Sequence, residues 1–204
     1  MSDVVETDTP AESKGERTRR RLVEVAIERF GRRGYRATSV SEIARTTGLT
    51  QAAAYAYFAN KEELFLAAVD TDADALVSQA IEQIDGELPV RALVPAFLIH
   101  IFTALDTHPL ARRVLAGQEP DAIAQLVELP AVRHFSEFAV ERFREGQTRG
   151  EVREDVDLAV IAAGLEALVL GLLFSTVQSG GIATPRHQEG VVAAFDAMLR
   201  PATG

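Results

Sequence analysis

Apolar side chains in the first half of the chain recur at the spacing of a helix rather than a strand. Within ERTRRRLVEVAIERFGRRGY, Val23, Ala26, Ile27 and Phe30 fall at i, i+3, i+4 and i+7, one stripe of 3.6-residue period, and Gly31 and Gly34 predict its end. Ser39 followed three residues later by Glu42 predicts a capping box opening a second helix of two turns, with Val40, Ile43 and Ala44 on one face before a turn at Gly48. Thr50 predicts the cap of a third short helix carrying Gln51, Tyr55, Tyr57 and Phe58. Asn60 with Glu63 opens a fourth, long one, whose Leu64, Phe65, Ala68, Val69, Leu76, Ala80, Ile81 and Ile84 form a continuous apolar face.

Beyond residue 85 the pattern stays helical. Pro89 opens PVRALVPAFLIHIFTALDTHP and His108-Pro109 closes it, Gly117 to Pro120 form a turn, and Pro130 stands at the start or kink of PAVRHFSEFAVERFREGQTRG, which ends at Gly146 to Gly150. Asp157 leads into LAVIAAGLEALVLGLLFSTV, twenty residues in which Glu166 is the one charge. That length just reaches a membrane span. The small residues Ala159, Ala163, Gly164, Ala167 and Gly171 and the central acid point instead to close helix packing, so no membrane is expected. RHQEGVVAAFDAMLR follows as an amphipathic helix. Alternating strand patterns are nearly absent, and the expected fold is all-α.

Two short helices around a glycine turn, propped by a longer first helix, outline a helix-turn-helix, in which the third helix enters the major groove of DNA. The net charge of −9 seems to oppose that reading until it is divided by segment. Residues 12–61 carry 11 basic and 5 acidic side chains, a net of +6, whereas residues 62–204 carry 10 basic and 22 acidic, a net of −12. A phosphate-binding module thus precedes an acidic remainder.

The run from Arg19 to Leu66 resembles the DNA-binding domain of the tetracycline-repressor (TetR) family of bacterial transcriptional regulators, at Phe30, Gly34, Ile43, Ala44, Gly48, Tyr55, Phe58, Lys61 and Leu64. It covers about a quarter of the chain, and types and spacings agree throughout. The resemblance implies three segments: a disordered acidic tail over 1–12, a helix-turn-helix domain over 13–61, and a larger helical effector-binding and dimerisation domain over 62–204. Ala53 departs from the family's usual Thr or Ser, and Ala54 from its usual Leu-like residue, which thins both the polar contacts and the small core under the third helix.

On this helix the small Ala52 and Ala53 allow close approach to thymine methyl groups, and Gln51 can pair bidentately with an adenine edge. Tyr55 and Tyr57 reach flanking phosphates, and Lys61 neutralises one. The resemblance adds a phosphate contact at Ser39, with Ser41 and Thr50 beside the groove. The expected partner is a palindromic double-stranded operator, read by a homodimer whose two-fold axis matches it. By resemblance, residues 157–178 and 186–200 form the dimer interface, with Leu165, Leu168, Gly171, Leu172, Val191, Phe195 and Met198 as candidates.

Polar groups among large apolar ones mark candidate contacts to a small-molecule effector: Phe97, His100, Phe102 and Arg112 (or Arg113), with His134 and Phe138. Catalytic and metal readings find little support. There is no cysteine, the four histidines lie in separate segments, and no nucleophile elbow or phosphate loop occurs. The acidic DTDAD at 70–74 has Ala75 and Ile81 where a calcium loop needs Gly and Glu, and reads as a solvated helix face. No cofactor is expected. The polar first ten residues predict no secretory leader and a cytoplasmic setting. By resemblance, the expected function is that of a ligand-responsive repressor, which releases its operator when a small, largely apolar molecule binds the C-terminal domain; against it stand an activator or effector-blind regulator and, from another class, a helical protein-interaction module that has lost DNA binding.

Overall fold

The computed structural model describes residues 13–120, 130–180 and 185–201, so the acidic tail over 1–12 lies outside the described residues. Among those described there are nine α-helices and no strand: α1 Lys14–Ala37, α2 Val40–Thr46, α3 Gln51–Ala54, α4 Lys61–Glu82, α5 Val90–Ala104, α6 Pro109–Leu115, α7 Pro130–Thr148, α8 Leu158–Gln178 and α9 Pro185–Leu199. A single 3₁₀ turn, Leu105–Thr107, links α5 to α6.

Local chemistry explains the starts. Ser13 and Glu16 close a full capping box on α1, Thr50 accepts the Ala53 amide at 3.1 Å on α3, and Asn60 accepts that of Glu63 at 2.8 Å on α4. On α2 only half of the expected box forms. Ser39 accepts the Glu42 amide, but the Glu42 carboxylate turns away to Arg29 and Arg33 of α1, at 3.2 and 2.9 Å. Two guanidinium groups offer it more than one backbone amide can.

Two apolar cores are stacked along α4. The first gathers Leu22, Phe30, Ile43, Ala54, Phe58, Leu64 and Phe65 from α1 to α4, and takes in Leu110 and Val114 of α6. The second joins the far half of α4 to α5, α7, α8 and α9 through Leu76, Phe97, Phe143, Leu165 and Phe195. At 22 residues α4 is about 33 Å long. It is therefore a rod shared by both cores.

Three features differ from the sequence expectation, each through tertiary contact. Gly31 does not end α1: a Cβ there would lie 2.8 Å from that of Pro109, so the residue lets α6 approach closely. Gly34 does break the helical path, at φ +80°, and helical geometry resumes beyond it to Ala37. Asp72, within the acidic run read as solvated, is only 4% exposed. Its carboxylate accepts the Leu110 and Ala111 amides at 2.9 and 2.8 Å and faces His108 Nδ1 at 3.0 Å. The first amides of α6, like those of any helix, have no intrahelical acceptor, and Asp72 supplies one.

Candidate functional site

The first core presents one polar face. Ser39, Ser41, Thr50, Gln51 and Ala52 are all exposed there, and Tyr55, where α3 ends, is 41% exposed. Ala54 and Phe58 point inward and anchor α3 from beneath, while Tyr57 is half-buried against the same core. Arg19 lays its guanidinium over the Phe58 ring, 4.8 Å from the centroid. Lys61 is half-buried with its ammonium 4.3 Å from the Tyr35 ring centroid, and burial holds its pKa below the usual lysine value. Arg29 and Arg33 are tied to Glu42, so their role is to fasten α1 to α2.

A second site lies between the cores. An apolar cavity of about 80 Å³ is walled by α4 (Val69, Ala73, Leu76, Val77), α5 (Phe97, Ile101), α6 (Ala111, Val114, Leu115), α7 (Ala131, Phe135) and α8 (Val169, Leu173), with Glu166 as the one charged lining residue among those described. Of the six residues expected to meet an effector, only Phe97 lines it. Phe102 and Phe138 pack, half-buried, against the larger core. His100 is half-exposed on α5, Arg112 is exposed and bonded to Asp106, and His134 Nδ1 faces Asp74 at 3.1 Å. The histidines drew attention because they are polar residues in apolar runs, yet each sits where its helix turns toward water. The wall is apolar, aliphatic but for Phe97 and Phe135, and no single-residue signal marks such side chains as a cavity rather than a core.

Near this wall Asp70 accepts the Ala131 amide, and one carboxylate oxygen is buried without a hydrogen bond. Burial, with a smaller push from Asp74, raises its pKa.

The cavity and the polar face are connected. On the side of α6 away from the cavity, Arg113 Nε donates to the buried Glu119 at 2.6 Å, and the same carboxylate oxygen accepts the Tyr35 amide at 3.1 Å. Gly34 sits so tightly against this pair that a Cβ would lie 2.5 Å from Arg113 and 2.7 Å from Glu119. The α6 end thus grips α1 at Tyr35, five residues before α2 begins at Val40.

The candidate dimer residues divide. Leu165, Leu172 and Phe195 are buried in the protomer's own core, Phe195 against Phe143 at 5.4 Å, so they face away from any partner. Leu168, Gly171 and Met198 face outward, Val191 is half-exposed, and beside them Val160, which sequence reasoning passed over, is 66% exposed. Two stretches, Val90–Thr107 (α5 with its 3₁₀ turn) and α8, are long and apolar enough to cross a bilayer by length and composition, yet each contributes a wall of the cavity.

A three-helix reading head on a helical body defines a helix-turn-helix transcriptional regulator, and the comparisons agree. Residues 22–68 match the model of bacterial regulatory proteins, tetR family. It is 24% identical over 163 residues to the HTH-type transcriptional regulator UidR of Escherichia coli (strain K12), covering 79% of this chain and 83% of that protein. The fatty acid degradation regulator FadR from Bacillus halodurans shares the fold with a TM-score of 0.63 at 15% identity, over 93% of this chain and 96% of that one. RolR, solved in complex with resorcinol, gives 0.61 at 19%, over 93% and 90%.

Proposed function

We propose that this regulator is a homodimeric repressor that releases a palindromic operator when a small, largely apolar molecule enters the cavity between its cores. The carrying observation is that α4 and α6 are at once walls of the cavity and supports of the reading head. In this reading Gln51 and Ala52 read base edges, Ser39, Ser41, Thr50, Tyr55 and Lys61 position the head on phosphates, and Tyr57, half-buried, contributes its outer edge. The dimer forms through the outward faces of α8 and α9, and the protein works in the cytoplasm.

The cavity's size supports a switch. An apolar cavity of roughly 150 Å³ admits benzene, whereas this one holds about 80 Å³, so a ligand must push its walls apart. Movement of α6 pulls on Glu119 and the Gly34 kink, and movement of α4 tilts α3; either changes the separation of the two reading heads in the dimer. RolR, a protein of the same fold, was solved with the small aromatic resorcinol.

The test is selection of bound genomic fragments followed by gel retardation. Tight binding to a palindrome that falls steeply with salt and is relieved by a small apolar molecule is the expected result. Absence of retardation at low salt would leave an interaction module as the better reading, and binding that no ligand relieves would leave an effector-blind regulator.

A further inference from the structure

Glu166 is the one charged residue of α8, in the middle of a 21-residue helix otherwise built from apolar and small side chains up to its last turns. It lines the cavity. Its carboxylate accepts a hydrogen bond from Ser136 Oγ of α7 at 2.7 Å and has no cationic partner among the described residues. Most other shielded carboxylates among the described residues are better compensated: Asp72 has two amides and His108, Glu119 has Arg113 and an amide, Glu42 has two arginines, and Glu151 has Arg149 and the Val90 amide; Asp70, with the Ala131 amide, is the exception. Half-buried at the cavity wall with a neutral hydroxyl as its hydrogen-bond partner, the carboxylate keeps acceptor capacity for a cation, which a hydrocarbon side chain completing the same wall would lack.

We infer that the cavity's occupant carries a protonated amine on its apolar body and that Glu166 receives it. This rests on the effector reading above and narrows it to a chemical class. The apolar walls take the body, and the carboxylate, hinged on a flexible side chain and bonded to Ser136, swings to the ammonium group. Charge attraction is strengthened there by the apolar surroundings. A neutral molecule of the same shape gains only the apolar contact, and an anion is repelled.

Three probes of one shape separate these cases: benzylamine, benzyl alcohol and benzoate, titrated calorimetrically into the full-length protein and its Glu166→Gln variant at pH 7. In the native protein benzylamine is expected to bind at least tenfold tighter than benzyl alcohol, with benzoate weakest. In Glu166→Gln the two uncharged or cationic probes converge, while the affinity for benzyl alcohol changes less than about twofold. Equal binding of benzylamine and benzyl alcohol by the native protein would overturn the charge assignment and leave the effector cavity standing. Binding of none of the three would remove both. A variant that keeps its preference for benzylamine, or one whose oligomeric state changes while the preference persists, would place the partner of Glu166 outside the cavity and overturn the inference.

Discussion

Gln51 and Lys61 belong to the same reading head and have different surroundings. Gln51 opens α3 and is exposed, whereas Lys61 opens α4 half-buried, with its ammonium over the Tyr35 ring. Gln51→Ala is therefore expected to cost roughly 1–3 kcal/mol on the preferred site and to relax the preference at one position in each half-site. Lys61→Ala should weaken binding to all sequences alike and lower the salt slope by about one unit per half-site, because a phosphate contact carries no base information. Fluorescence anisotropy on native and scrambled operators at several salt concentrations distinguishes the two, and the reverse assignment of effects would show that α3 is oriented differently.

Asp70 supports a prediction of its own. Its folded pKa lies above the unfolded value because burial disfavours the charge. For an acid this sign means that the native state is favoured while the group is protonated, below its unfolded pKa. That advantage is lost as pH rises through the folded pKa. At pH 7 the charge is thus a burden, and Asp70→Asn, which keeps an oxygen for the Ala131 amide, is expected to raise Tm by roughly 2 °C. The gain should vanish in melts below about pH 4, and a gain that persisted there would implicate something other than ionisation.

At the scale of the element, α6 matters most. With seven residues it is too short to be stable alone. It is held at its start by Asp72 and at its end by the Arg113–Glu119 pair. Asp72→Ala leaves two buried amides without an acceptor and is expected to cost about 2–4 kcal/mol in urea melts. Hydrogen exchange should quicken over residues 109–115 before it does so in α8. If exchange stayed as slow as in the native protein, apolar contacts of Leu110 and Val114 would be holding the helix instead.

For the whole molecule, the question is which face of α8 meets the second copy. Leu165 and Leu168 are one turn apart, yet the first is fully buried in the protomer and the second is 38% exposed. Leu168→Asp should accordingly give folded monomers in light scattering with a near-native circular dichroism spectrum. Leu165→Asp should unfold the chain, because it buries a charge in the protomer's own core. A dimer that survives Leu168→Asp would place the interface elsewhere.

Much of the first core was legible beforehand because it is built from local rules. A 3.6-residue stripe, three side-chain caps and a glycine turn act within a few residues of one another, and the basic charge of residues 12–61 needs no coordinates. What the tertiary structure decided were the choices that sequence leaves degenerate. In α8 nearly every position is apolar, so hydropathy does not tell Leu165 and Leu172, which face inward, from Leu168, which faces out; packing against α7 and α9 breaks that symmetry. The histidines of the apolar runs lie off the cavity, while mostly apolar residues of five helices, Phe97 among them, form it. Asp72 became a buried cap, and Gly31 a contact point, only because α6 crosses α1 and α4 there. A residue's own chemistry sets what it can bond, but partners 38 and 78 positions away are brought within reach by the fold alone.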